Sequence, residues 1–313
     1  MVPIFDGRLP DGSRVNGTIP PVSPDGPTLT IRKFKEDPLT MIDLVKFGTV
    51  NSRLAAMMWV WIEGLDSRPA NFVIAGGTGS GKTTTLNCLG MYIPWHRRLL
   101  TVEDTAELQV YHDHWLRMET RRERPDGTPE VDMNDCLKSS LRMRPDRIIV
   151  GEVRGPEAAT LLTAMNTGHD GSFGSLHANT AQETVTRMIN PPMNVPPIML
   201  TGLDLIIIQA RLHVNGKTAR KITEVAEIAG MEGSKPRLNT IWKYNAATDQ
   251  IEETGIPSNL REVICRAAGV TPDIFEKHVH QRQQIIEDLI ARDITDIQSV
   301  TTVIQNFYAQ SHH

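Results

Sequence analysis

The chain has 313 residues, 40% hydrophobic and 22% charged, with a net charge of −4 and a pI of about 6.2. That is enough for one large or two ordinary domains, and the acidic balance argues against a general nucleic-acid binder. The three cysteines, Cys88, Cys136 and Cys265, lack metal-cage or disulfide spacing, and no apolar run approaches the length of a membrane span. The first thirty residues are rich in Pro, Gly and Asp and lack a signal-peptide pattern, so the expectation is a cytoplasmic protein that meets any membrane through a partner.

In chain order, residues 1–34 carry turn signals at Pro10-Asp11-Gly12, Pro20-Pro21 and Pro24-Asp25-Gly26, between β-like pieces such as Thr28-Leu29-Thr30-Ile31. They read as the C-terminal end of a truncated, β-containing N-terminal domain, and His312-His313 reads as a cloning scar. Residues 35–53 read as a linker and a first helix opened by Pro38, which Thr40 and Asp43 can cap. Apolar residues continue to Trp61-Ile62, with breaks at Gly48 and Gly64.

From Asn71 the pattern becomes strand–loop–helix alternation, within a core of residues 54–256. Strands are expected at 71–75, 98–103, 146–151, 172–176 and 204–208, and helices at 82–92, 132–143, 156–167 and 181–189. Buried strands alternating with helices predict an α/β fold around a parallel-rich sheet covered on both faces. Residues 220–253 look like hairpins, with a turn-rich link at Tyr244 to Asp249. Residues 257–313 read as a C-terminal helical region, with Pro272 in the first turn of a long helix whose apolar side holds Ile274, Phe275, Ile285, Ile286, Leu289 and Ile290. Asp296 to Tyr308 forms another helix.

Four segments carry chemistry. Gly76-Gly77-Thr78-Gly79-Ser80-Gly81-Lys82-Thr83, followed by Thr84, is a complete phosphate-binding loop between an expected strand and an expected helix. Its backbone N–H groups can curl around phosphates at a helix N-terminus, Lys82 can reach the β- and γ-phosphates, and Thr83 can ligate Mg²⁺. The second segment, Ile148-Ile149-Val150-Gly151-Glu152, is an apolar strand ending in an acid, placed to hold Mg²⁺ or to polarise a water. In the third, the strand to Val102 ends in Glu103-Asp104, so two acidic strand tips are expected at one site; alternatively Asp104 or Thr105 caps a following helix. The fourth segment is Gly174 to Thr180. Thr180 with Glu183 makes a capping box, which leaves His177 in a loop near the strand ends, able to hydrogen-bond a γ-phosphate, whereas His169 reads as a turn residue. Arginines cluster at Arg117, Arg121, Arg122 and Arg124, with Arg142 and Arg144 on another segment and Arg14 and Arg32 near the start. One of them is a candidate for stabilising phosphoryl charge, and a solvated face is the other reading.

Together, Gly76–Thr83, Thr101–Leu108, Arg144–Arg154 and Gly174–Thr180 resemble, in order and spacing, the Walker A, Asp-box, Walker B and His-box motifs of the type II/type IV secretion ATPase superfamily. Arg8–Asn16 with Thr30–Phe34 resembles the end of that family's N-terminal domain. The missing four-cysteine subdomain separates the chain from bacterial type II members, and Glu224–Gly233 with Leu238–Tyr244 looks most like the archaellum motor ATPase and its archaeal pilus relatives.

The resemblance implies a RecA-like core, Mg-ATP as the nucleotide, a homo-hexameric ring, and a polytopic membrane-protein partner. It implies that Glu152 and Glu103 serve hydrolysis and that Glu152 joins Thr83 at the metal. His177 is expected to sense the γ-phosphate, Arg14 and Arg32 to reach the nucleotide, and one of Arg117, Arg121 or Arg122 to act across a subunit interface. A motor for archaellum, pilus or secretion machinery is the leading expectation. A nucleotide-gated scaffold with little turnover and a DNA translocase are the alternatives.

Overall fold

The computed structural model describes residues 3–33, 37–123, 127–214, 216–233 and 235–311. Arg124 and His312-His313 lie outside them. The chain forms two compact units, Met1–Pro38 and Leu39–His313.

The first unit is a three-stranded antiparallel sheet of β1 (Ile4–Arg8), β2 (Arg14–Thr18) and β3 (Thr28–Arg32), in chain order. The expected Asp11-Gly12 turn joins β1 to β2, with both Asp11 carboxylate oxygens accepting from Ser13, its N–H and its hydroxyl, at 2.9 Å. Phe5, Gly17 and Leu29 stand opposite one another, and an edge of the Phe5 ring lies against Gly17. A Cβ on Gly17 would come within 2.4 Å of that ring, so any larger residue there would have to displace Phe5.

The second unit begins with α1 (Met41–Lys46) and α2 (Ser52–Glu63). Asp43 accepts the Thr40 N–H at 2.8 Å, the cap the spacing predicts, and Gly48 and Gly64 take positive φ where the helical stretches break. There follow β4 (Phe72–Ala75), α3 (Lys82–Gly90), β5 (Leu99–Glu103), β6 (Trp115–Glu119), α4 (Met133–Ser140), β7 (Arg147–Val150), α5 (Glu157–Asn166), β8 (Phe173–Leu176) and α6 (Ala181–Ile189). A hairpin-connected run of β9 (Leu205–Val214), β10 (Lys217–Glu232), β11 (Lys235–Asn245) and β12 (Gln250–Glu253) leads to α7 (Asn259–Ala268), α8 (Pro272–Ala291) and α9 (Ile297–Ser311).

The sheet order is β12-β11-β10-β9-β4-β8-β7-β5-β6. From β9 to β6 every neighbour pairs parallel, and from β9 to β12 every neighbour pairs antiparallel. β4 therefore sits inside the parallel part, and its four residues are buried on both faces. Phe72 and Ile74 join the core that holds α2, α3 and the C-terminal helices; Val73 and Ala75 join the one under α4, α5 and α6.

Sequence reasoning missed β6. No helix follows Thr105, so the capping alternative for Asp104 and Thr105 fails: the chain runs irregularly from there and returns as an edge strand. The charged Arg117 and Glu119 within it, and the arginine-rich stretch that follows at Arg121-Arg122, hid that strand. On α8, Phe275, Ile286 and Leu289 are buried as expected, but Ile274 is 40% exposed, because it stands one step round the helix from Phe275.

At the N-terminal edge of the strands, the buried Asn71 amide gathers three segments. Its Oδ1 accepts the Gly171 N–H at 2.8 Å and the Ser172 N–H at 3.1 Å, and its Nδ2 donates to the Gly202 carbonyl at 3.0 Å. Asp204 accepts the Asn71 N–H at 2.7 Å and an Arg68 N–H at 3.1 Å. Burial pushes the Asp204 carboxyl up from 3.8 to about 6, against the pull of Arg68. The folded value exceeds the unfolded one, so this contribution to stability is full below about pH 4 and is lost as pH rises through about 6. Asp204→Asn, which keeps an acceptor but cannot ionise, is expected to remove on the order of 3 kcal/mol of this pH dependence. Urea unfolding of both chains between about pH 4 and pH 7 checks it, and identical pH slopes would rule it out.

Candidate functional site

The site forms where β4, β5, β7 and β8 end. A strand buried on both faces must hand its chain to a loop whose polar groups need partners, and the glycines of residues 76–81 allow a tight one. Gly79 and Gly81 take φ of +73° and +96°, and Gly81 forms the N-cap of α3. At Gly76 the constraint is space: a Cβ would stand 2.2 Å from the Gln209 carbonyl oxygen and 2.6 Å from Ser80 Oγ. Thr78, Gly79 and Thr83 are exposed, Gly77 and Thr84 half-buried, and Ser80 buried.

Lys82 is buried and folds back on its own loop, donating to the Gly76 carbonyl at 2.8 Å and the Gly77 carbonyl at 3.1 Å. Burial lowers its pKa, and the charge of Glu152 works the other way. An ammonium whose hydrogen bonds, among the described residues, go to the neutral carbonyls of a glycine loop fits a polyphosphate, which supplies the charge those carbonyls lack.

Glu152, just past β7, has two close neighbours. Arg154 Nη2 donates to Oε2 at 2.6 Å, and His177 Nε2 stands 2.9 Å from Oε1, an oxygen that is buried without a hydrogen bond among the described residues. Burial alone would raise its pKa, but Arg154 first, then His177 and Lys82, hold it below the usual carboxylate range. His177 is itself held below the ordinary histidine value by burial and then by the Lys82 charge. Lys82, Glu152 and His177, singled out from three separate segments, thus interact in one place. The capping box that places His177 is only half formed. Thr180 accepts the Glu183 N–H at 3.0 Å, but Glu183 turns to the Asn179 N–H at 2.8 Å.

Glu103 has a different setting from Glu152. It is 3% exposed, and its Oε1 accepts the N–H groups of Glu107 at 2.9 Å and Leu108 at 3.0 Å, while Oε2 is buried without a hydrogen-bond partner. Burial raises its pKa, partly offset by those N–H groups. Its Cγ lies 2.9 Å from where a Gly151 Cβ would stand, so it backs onto the β7 tip. Asp104 is exposed, accepts the Thr120 hydroxyl at 2.9 Å and lies 3.9 Å from Arg154 Nη1.

The arginines divide. Arg117 donates to the Leu108 carbonyl at 3.1 Å and stacks on Trp115, so it is engaged within its own unit. Arg121 and Arg122 are exposed, and Arg121 donates to the Pro129 carbonyl at 3.1 Å. Arg142 and Arg144 are also exposed. Arg14 and Arg32 stand opposite each other on β2 and β3 of the first unit.

Sequence reasoning assigned no role to Gln209. On β9 it is 1% exposed; its Nε2 donates to the Ser80 carbonyl at 2.9 Å, and its Oε1 accepts the Thr85 hydroxyl at 2.7 Å. It pins both the loop and the first turn of α3 to the sheet. The signal was present as an amide closing the apolar run Leu205 to Ile208. Arg154 was likewise missed as the partner of Glu152.

A family model described as "Type II/IV secretion system protein" matches residues 1–304. An uncharacterized protein of Methanocaldococcus jannaschii is 31% identical over 98% of this chain and 66% of its own length. The probable conjugal transfer protein TrbB of Sinorhizobium fredii is 40% identical over 80% of this chain and 73% of its own. The structure of the ATPase DotB of Legionella pneumophila superposes with a TM-score of 0.52 at 22% identity, covering 71% of this chain and 61% of that one, a likeness of fold. The chain spans 66% and 56% of two Methanocaldococcus jannaschii relatives.

Gln209→Leu removes both clamp bonds and leaves the buried Ser80 carbonyl and Thr85 hydroxyl unpaired. A loss of about 1–3 kcal/mol in stability is expected, with faster amide exchange across Ser80–Leu86 than elsewhere in the sheet. Unchanged exchange in that segment would count against the clamp.

Proposed function

The chain belongs to the type II/IV secretion system protein family, and from that premise we propose that it is an ATP-hydrolysing motor subunit. The observation that carries the reading is the ionised Glu152 beside Lys82 and His177 at the mouth of the glycine loop. A scaffold that only bound nucleotide would need the loop but not that carboxylate.

In this mechanism the triphosphate takes the place of the Gly76 and Gly77 carbonyls as partner of Lys82, and the loop N–H groups from Gly77 to Thr84 surround the phosphates. The exposed Thr83 hydroxyl and Glu152 are the residues that would hold Mg²⁺, which supplies charge neutralisation on the phosphoryl oxygens. Glu152 orients the attacking water and accepts its proton, leaving ADP and inorganic phosphate. Its depressed pKa keeps it ionised at neutral pH, as a base must be. Glu103, buried and engaged with loop N–H groups, fits a positioning role behind the β7 tip. His177, half-exposed and beside Glu152, fits a sensor of the γ-phosphate. Arg14, Arg32, Arg121 and Arg122 remain candidates for completing the charge on the phosphates.

The finer reading is a homo-hexamer that passes domain motion to a polytopic membrane platform of archaellum, pilus or secretion type. The stretches Glu224–Gly233 and Leu238–Tyr244 favour the archaellum and archaeal pilus branch. No helix among the described residues is long and apolar enough to cross a membrane.

Lys82→Ala is expected to abolish ATP binding. Glu152→Gln should keep binding within about threefold and lower turnover by about a hundredfold or more. Isothermal titration and phosphate release measure the two. Full turnover in Glu152→Gln removes that residue from the mechanism, and ATP binding without turnover in the wild-type chain favours the scaffold. A per-subunit rate that rises with protein concentration is the expected sign of catalysis across a ring interface.

A further inference from the structure

Arg211 and Arg220 stand directly opposite each other on the β9–β10 ladder. Like charges so placed repel, so the arrangement costs stability unless something anionic lies between or beside them. Both side chains are exposed, and among the described residues neither has a carboxylate at ion-pair distance. What they meet is the glycine loop. Arg220 Nε donates to the Gly79 carbonyl at 3.0 Å, and its Cδ lies 3.1 Å from where a Gly81 Cβ would stand. Arg211 Nη1 lies 3.7 Å from the corresponding point at Gly79. Gly81 is thus favoured as glycine by its φ of +96°, with Gln209 Nε2 and the stem of Arg220 crowding the place of a Cβ at 3.0 and 3.1 Å.

We propose that Arg211 and Arg220 form a second cationic wall of the phosphate site, supplied in cis by the hairpin, which binds the polyphosphate of a nucleoside triphosphate together with Lys82. The proposal rests on the nucleotide reading above. With Nε on a loop carbonyl, the Arg220 guanidinium keeps its Nη donors for phosphate oxygens, and the planar fork suits a phosphate better than a point charge would. The bond to Gly79 holds that fork against the loop before ligand arrives, so little side-chain entropy remains to be lost on binding. Bound phosphate would also relieve the repulsion between the two arginines, so each should strengthen the effect of the other.

The test measures the Kd of ATP and of inorganic tripolyphosphate for the whole chain at about 50 and 200 mM salt. The proteins are wild type, Arg211→Ala, Arg220→Ala, Arg220→Lys, Lys82→Ala and a control, Arg237→Ala, an exposed arginine that donates to the Ala229 carbonyl on the far part of the hairpin sheet. Both alanine variants in the pair are expected to weaken both ligands by about tenfold, with a shallower salt dependence. Arg220→Lys should recover part of the loss, and Arg237→Ala should bind as wild type. Circular dichroism on each variant confirms folding. If both variants bind within about twofold of wild type while Lys82→Ala does not bind, the inference falls and the nucleotide reading stands. A change in self-association alone, with Kd unchanged, assigns the pair to a protein contact and also overturns it. A wild-type chain that binds no ATP removes the nucleotide reading and this inference with it.

Discussion

One buried amide holds the glycine loop to the sheet. The loop leaves a strand that is covered on both faces, so its carbonyls and N–H groups stand at a dry boundary and need fixed partners. Gln209 supplies one from the side, spanning the Ser80 carbonyl and the Thr85 hydroxyl, and Lys82 and Arg220 take three further loop carbonyls. The clamp sits on β9, the strand where the parallel part of the sheet turns into antiparallel hairpins. The loop is therefore tied by one side chain to the strand from which the hairpins begin.

The two strand-tip glutamates show how burial divides similar residues. Both follow apolar parallel strands, and both face the same edge. Glu103 is enclosed, raised in pKa and bonded to backbone N–H groups of the next loop. Glu152 is less enclosed, and Arg154 above all, with smaller contributions from His177 and Lys82, outweighs its desolvation. The first is suited to holding shape and the second to acting on a reactant, although in the sequence the two are equivalent candidates. The hydrogen bond from Arg154 holds one oxygen of the Glu152 carboxylate, and the other, beside His177, makes no hydrogen bond among the described residues.

Much of the second unit was legible in the chain. The strand and helix alternation from Asn71 to Ile189 follows the expected elements to within a few residues, because period and glycine placement both act locally. Lys82, Glu152 and His177 were legible as well, since each sits at a fixed offset from the end of a buried strand. β6 and the exposed Ile274 were not, because one depends on what lies beside a sheet edge and the other on the exact rotation of a helix against its neighbours. Gln209, Arg211 and Arg220 escaped for a related reason. Their meaning depends on partners up to 141 residues away in the chain.

The sequence by itself determined the class of the fold, the glycine loop and the acids at the strand ends, since these depend on local conformational freedom and on hydrophobic period. It also carried the family, through four motifs in fixed order. Only the tertiary structure decided which glutamate is enclosed and which is partly exposed, which side chain anchors the loop, and which arginines lie against it. Those properties come from burial and from contacts between distant segments, and desolvation and hydrogen-bond geometry exist only once the sheet has brought the segments together.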